Sequence, residues 1–253
     1  MDTEQGRLII EGPRDGAQNM AIDEAMLTAA GKGTVVPTMR FYRWSEATIS
    51  LGHFQRFAEV QQLEPQFMHL PVVRRITGGG AILHDAELTY SLILPGNHRL
   101  VENQGPQTLY VAVHQALTAV LASLGLSAQL RQGDRPPSQQ KGPFFCFERA
   151  NPSDVMVCGR KIAGSAQRRT LNALLQHGSL MLDNPLAQPG LATLAEYSLS
   201  QPADPDTLAR SWASVLAKTL DLNFVEGKLT EAEETLADQL RTKYASDEWT
   251  KRR

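Results

Sequence analysis

The stretch GPFFCFERANPSDVMVCGRKIAGSAQRR, residues 142–169, holds both cysteines of the chain and a lysine beside a glycine-bounded turn. A cysteine is a nucleophile only as its thiolate, which needs access to substrate and a cation nearby. Cys146 follows a polar loop, RQGDRPPSQQKGP at 131–143, and that junction would supply access. Arg160 and Lys161 are the candidate cations, and only the fold can bring them to Cys146. Phe145 and Phe147 on either side would equally suit a buried thiol that merely packs. Cys158 continues the apolar run of DVMVCG and is expected to be a packing residue. Lys161 sits among the small and apolar residues of KIAGSAQ, which would leave its ammonium partly desolvated; a solvated turn lysine is the plainer alternative.

A second stretch, RRITGGGAILHD at 74–85, places Gly78, Gly79 and Gly80 between two strand-like runs. Such a turn lets backbone approach a ligand closely, and its successive N–H groups can hold an anion or a developing oxyanion. A glycine-rich hairpin bend with solvated arginines would look the same. On a regular strand Arg74 and Arg75 point to opposite faces, so at most one meets a ligand at the turn. His84, as a lone histidine, is either a base or a hydrogen-bonded structural residue. The six histidines show no HExxH and the two cysteines lack metal-ligand spacing, so a structural zinc site is not expected. No GxxxxGK[ST] occurs, and GGG does not open a helix, which argues against P-loop and Rossmann readings.

The elements that must position these residues are legible around them. NMAIDEAMLTAAG (19–31) reads as a helix with Asn19 as N-cap, acids in the first turns and a terminal glycine. Short strands are expected at TMRFYRW, TISLG, PVVRR, AIL and ELTYSLIL, the last ending at Pro95. Apolar residues at 109, 113, 116, 117, 120, 121 and 124 have the 3.6-residue period of an amphipathic helix, closed by Gly125. Further strands are expected around DVMVCG, KIAGSAQRR and NALLQHGSLML. Helices are expected from about 205 to 253. Strands in the middle with helices at both ends indicate an α+β fold, a mixed or antiparallel central sheet flanked by helices, in one catalytic domain over 1–253.

Composition narrows the function. A chain of 253 residues with 42% hydrophobic and 21% charged residues and a formal net charge of −2 is an ordinary globular protein. It lacks the basic excess of a general nucleic-acid binder. No apolar run reaches the roughly 18 residues of a membrane span. The N-terminal MDTEQGRLII has no signal-peptide core, so reduced thiols and a cytoplasmic location are expected.

Taken in order, NMAIDEA (19–25), RFYRW (40–44), SLGHFQ (50–55), RRITGGGAILHD, ELTYS (87–91) and GRKIAGSAQRR (159–169) resemble the lipoate–protein ligase and octanoyltransferase family, whose catalytic fold is shared with biotin protein ligases. The terminal KYASDEWTKRR also looks like the family's ending. The resemblance implies a central sheet flanked by helices, with an acyl chain in a tunnel beside the glycine turn. It puts the family lysine on Lys161. CFERANPS followed by GRKIAGSAQRR is most similar to the LipM-type octanoyltransferases and the related LipL amidotransferases, whose nucleophile falls on Cys146. GGGA followed by HD is more similar to the ATP-dependent ligases.

The implied activity is transfer of an octanoyl group from an acyl carrier protein, through a Cys146 thioester, to a lysine of a lipoyl domain such as glycine-cleavage H protein. Cys146 and Lys161 are then the catalytic residues. Arg74, Arg75, Gly78, Gly79, Gly80, His84, Gly164, Ser165 and Ala166 would bind the acyl group or substrate. No cofactor is implied; ATP and Mg²⁺ enter only under the ligase alternative, and an amidotransferase that takes its octanoyl group from octanoylated glycine-cleavage H protein, or a non-catalytic lipoyl-domain binder, is a further one. Transient partners imply a monomer. Arg74, Arg75, Arg160, Lys161, Arg168 and Arg169 are expected to form a basic rim that steers acidic carrier proteins.

Overall fold

The computed structural model describes residues 4–102, 105–133, 144–148, 151–188, 190–197 and 204–253. In chain order the first elements are β1 (Glu4–Arg14), α1 (Gly16–Gly31), β2 (Thr38–Trp44), β3 (Thr48–Leu51), β4 (Val72–Arg74), β5 (Ile82–His84) and β6 (Glu87–Pro95). Then come α2 (Arg99–Glu102), α3 (Pro106–Ser123), β7 (Ala128–Leu130), β8 (Val155–Val157), β9 (Arg160–Arg169) and β10 (Ala173–Met181). The chain ends with α4 (Pro205–Leu220), β11 (Leu222–Glu226), α5 (Glu231–Tyr244) and α6 (Asp247–Thr250). The polar loop expected at 131–143 lies outside the described residues from 134 onward.

The larger sheet has the order β11-β1-β2-β6-β10-β9-β8-β7. β1 pairs in parallel with β11 and β2, and the remaining pairs are antiparallel, so the sheet is mixed as expected. Residues alternate between its two faces. Met39, Phe41, Leu92 and Leu174 pack with α3 and α4, where Trp212 meets the Phe41 and Tyr90 rings at 5.6 and 4.8 Å. Tyr42, Ile93 and Leu175 pack with α1 and α5 on the opposite face. The result is helix–sheet–helix layering, α+β. Among the described residues no helix is long and apolar enough to cross a membrane.

A second sheet, β4-β3-β5, carries the glycine turn. β3 is parallel to β4 and antiparallel to β5, so Gly78–Gly80 crosses over β3 and does not close a hairpin. The crossing is close. A Cβ on Gly52 would stand 2.1 Å from the Gly79 carbonyl oxygen, and Gly79 itself has φ +97°. Only glycine fits either place.

Several local expectations need correction. Asp15, not Asn19, caps α1, its carboxylate accepting the Gln18 N–H at 2.8 Å. No acid occupies that first turn, and the helix continues through Gly31 to a cap at Lys32. The segment 205–253 is not purely helical, because β11 runs through it and extends the sheet beside β1. Cys158 is exposed in the two-residue turn between β8 and β9, with φ +48° there and +78° at Gly159. The turn needs left-handed backbone at both positions, and that requirement overrides the apolar run of VMVC.

Candidate active site

Cys146 opens a short 3₁₀ turn, Cys146–Glu148, and the two residues before it, Phe144 and Phe145, are pinned to the glycine segment. The Ala81 N–H donates to the Phe144 carbonyl at 3.0 Å, and the Cys146 N–H donates to the Ala81 carbonyl at 2.6 Å. Phe145 and Phe147 are buried in separate apolar clusters. They anchor the loop on two sides and leave the half-buried Cys146 on the wall of a cavity of about 570 Å³.

Lys161, at the start of β9, enters that cavity with only 2% of its surface exposed. Its Nζ lies 3.7 Å from Cys146 Sγ, 3.4 Å from the Cys146 carbonyl oxygen and 2.9 Å from Asp154 Oδ2. Burial opposes the ammonium, but the Cys146 and Asp154 groups outweigh it and hold the Lys161 pKa above the ordinary lysine value. Lys161 therefore stays charged at neutral pH, where it can pair with a thiolate. Asp154 is itself 3% exposed and accepts the Asn151 N–H at 2.7 Å. Gly164 leaves the lysine its path: a Cβ there would lie 2.4 Å from Lys161 Cε and 2.6 Å from Nζ.

The predicted residues separate into those the cavity gathers and those it does not. Cys146, Lys161, Arg75, Gly78, Gly79, Gly164, Ser165 and Ala166 line it. Arg74, Gly80 and His84 do not. Arg74 faces the other way, as alternation requires, and donates to the carbonyls of Gly52, Gln55 and Thr250, tying α6 to the small sheet. Gly80 turns its carbonyl to Arg75 Nη2 at 2.6 Å. His84 is a buried structural residue: Nδ1–H donates to Glu87 at 2.6 Å, Nε2 accepts from Ser50 at 2.7 Å, and the ring stacks on Trp44 at 3.8 Å. Burial lowers its pKa despite the pull of Glu87, so the ring is neutral.

Arg75 spends its guanidinium on the protein. It donates to the carbonyls of Ser50, Gly78 and Gly80 and to the hydroxyls of Ser50 and Thr77. Two buried relays support those hydroxyls. Ser50 leads through His84 to Glu87; Thr77 leads through His177 (2.7 Å) to Asp23 (2.9 Å). Asp23 also meets Arg40 at 2.9 Å and Ser91 at 2.7 Å. Arg75 is thus a brace for the glycine turn rather than a ligand clamp. Sequence reasoning missed Asp154, His114 and the Asp23–His177–Thr77 relay. For Asp23 a signal existed, since it lies inside NMAIDEA.

The expected basic rim forms only in part, since Arg160, Arg168 and Arg169 are exposed and the other three are not. Arg74, Arg75 and Lys161 are 0%, 2% and 2% exposed, and Arg160 pairs with Glu196. The positive surface beside the glycine turn comes from Arg168, a member of the expected set, together with Arg252 and Arg253 around His53. Burial and these arginines lower the His53 pKa. Phe54, 64% exposed, stands between them and Gly78.

The lipoyl protein ligase A/B catalytic domain family matches residues 15–221. Octanoyltransferase LipM of Symbiobacterium thermophilum is 37% identical to this chain, covering 98% of each protein. Octanoyltransferase LipM of Brevibacillus brevis is 34% identical, covering 99% of this chain and 100% of that protein. The fold is also that of a bipartite lipoate protein ligase from Thermoplasma acidophilum, with a TM-score of 0.73 at 22% identity over 98% of this chain and 96% of that one. The cavity that joins Cys146 to Lys161 thus lies in a chain that belongs to the lipoyl protein ligase A/B catalytic domain family.

Proposed function

We propose that the chain is an octanoyltransferase of lipoate assembly in which Cys146 carries the acyl group between two proteins. Octanoyl-acyl carrier protein presents its thioester, and the Cys146 thiolate attacks the carbonyl and releases the carrier thiol. A lysine amine of a lipoyl domain, such as that of glycine-cleavage H protein, then attacks the enzyme thioester. Dividing the transfer into two displacements is the gain of covalent catalysis. The observation that carries this reading is Cys146 Sγ at 3.7 Å from Lys161 Nζ on a cavity wall. Asp154 keeps the lysine charged and in place. Backbone N–H groups of the Gly78–Gly79 turn are the candidate oxyanion donors.

The reaction needs no cofactor, and one cytoplasmic catalytic domain acting as a monomer suffices. Arg168, Arg252 and Arg253 steer the acidic carrier, so its association weakens as ionic strength rises from about 50 to 500 mM. The test is modification of an apo lipoyl domain. Octanoylation from octanoyl-acyl carrier protein without ATP supports the transferase. Modification only with free lipoate, ATP and Mg²⁺ supports the ligase alternative, and binding without product leaves a lipoyl-domain binder.

A further inference from the structure

The cavity also holds an imidazole, His114, that the acylation step leaves idle. α3 brings it to the wall with 1% of its surface exposed. Its Nδ1 meets the Ser153 carbonyl, which can only accept, so Nδ1 carries the hydrogen. In the neutral ring Nε2 is then an acceptor, and it lies 2.8 Å from Ser165 Oγ on the same wall. The Ser165 O–H therefore points at His114. Burial lowers the His114 pKa, and Lys161 adds to this, against the opposing effects of the Ser153 hydrogen bond and Asp154.

The backbone that orients His114 is unusual. Ser153 has φ +69°, a left-handed conformation that is strained for a non-glycine residue and persists only when its surroundings demand it. Its N–H is tied to the Arg131 carbonyl at 3.1 Å and its hydroxyl accepts from Gln107. One residue on, Asp154 holds Lys161. Two adjacent residues, the first of them strained, thus set both side chains: the Ser153 carbonyl fixes the imidazole tautomer and the Asp154 carboxylate fixes the ammonium.

The two groups are opposite in kind, and the second half of the transfer needs the second kind. An acceptor lysine has an ordinary pKa of about 10.4 and must lose protons before it becomes an amide. Lys161, held protonated beside Cys146 and Asp154, cannot take them. Resting on the Cys146 acyl-enzyme, we propose that Ser165 and His114 are the proton path for aminolysis. The acceptor ammonium sheds one proton to solvent on entering. The amine lone pair then forms the C–N bond, while the C–S pair leaves on Cys146 as a thiolate paired with Lys161. The remaining proton passes to Ser165 Oγ, which hands its own to His114 Nε2. The imidazolium, still held by Ser153 through Nδ1–H, later releases that proton to solvent.

The test uses octanoyl-enzyme formed on the full chain from octanoyl-acyl carrier protein, then discharged in single turnovers by an apo lipoyl domain or by hydroxylamine. Hydroxylamine is neutral at pH 7 and needs no strong base. His114→Gln should slow discharge to lysine by about 100-fold, within the range for general base catalysis, and leave discharge to hydroxylamine within threefold. Ser165→Ala should follow it, and Ser165→Thr, which keeps the hydroxyl, should recover most of the rate. The wild-type pH profile for lysine should carry a limb below the ordinary imidazole pKa that His114→Gln removes. The groups facing His114 are Tyr110 on its own helix, Ser153 and Asp154 before β8, and Lys161 and Ser165 on β9. Equal slowing toward both nucleophiles, or no slowing toward lysine, overturns the proposal alone. Failure of the wild type to form an acyl-enzyme overturns the Cys146 reading and this proposal with it.

Discussion

Gly164→Ala is a one-carbon change with a large expected effect. The new Cβ would stand 2.4 Å from Lys161 Cε, 2.6 Å from Nζ and 3.0 Å from Asp154 Oδ1. To reach an ordinary contact of 3.4 Å the lysine must withdraw by about 1 Å, and Phe147 and Asp154 already confine it. A misplacement of about 1 Å costs roughly 100-fold in rate, close to 2.7 kcal/mol of barrier. The strained Lys161–Asp154 pair should also lower stability, by a fraction of the 3–5 kcal/mol expected for breaking a buried ion pair outright. The assay is single-turnover acylation from octanoyl-acyl carrier protein, followed by intact mass, with a urea melt alongside. Gly12→Ala is the control, because nothing lies within 4 Å of its Cβ position. Gly164→Ala acylating within threefold of wild type would refute the placement of Lys161.

Other perturbations separate the roles of the surrounding residues. Asp154→Asn leaves the Lys161 ammonium buried without its carboxylate; acylation should fall about 10–100-fold and stability by about 3–5 kcal/mol, read by the same assays. Burial works against the Asp23 carboxylate, but its His177 hydrogen bond and Arg40 outweigh this and hold its pKa below the ordinary value. Its stabilisation is therefore full above the unfolded pKa of about 3.9 and is lost as pH falls through the folded value. Acid titration of unfolding free energy should show a drop below about pH 4 that Asp23→Asn flattens. Arg74→Leu unpairs the carbonyls of Gly52, Gln55 and Thr250, at about 1–3 kcal/mol for each that water cannot reach. It should lower the melting temperature and expose the Lys251–Arg253 bonds to trypsin while acylation stays within threefold.

Much of this was legible in the residues because the informative patterns are local. Alternation in TMRFYRW and ELTYSLIL, and the 3.6-residue period from Leu109 to Leu124, match β2, β6 and α3. What escaped is non-local. β11 is short, mostly exposed, and pairs with a strand that begins 218 residues earlier, at Glu4 against Leu222. Asn19 before an apolar run imitates a cap; its amide instead donates to the carbonyls of Arg14 and Arg43 inside the fold. His84 and His114 could not be told apart as lone histidines. Burial makes the first a strut between Ser50 and Glu87, and α3 turns the second toward the cavity. Asp154 reads as turn chemistry in NPSD, and only the β8–β9 pairing brings its carboxylate to Lys161.

The most direct measurement is the intact mass of the protein after incubation with octanoyl-acyl carrier protein in the absence of ATP. A hydroxylamine-labile octanoyl adduct that is lost in Cys146→Ala and kept in Cys158→Ala is the predicted result. An adduct that survives Cys146→Ala, or lipoyl-domain modification that proceeds at the wild-type rate without Cys146, would contradict the account.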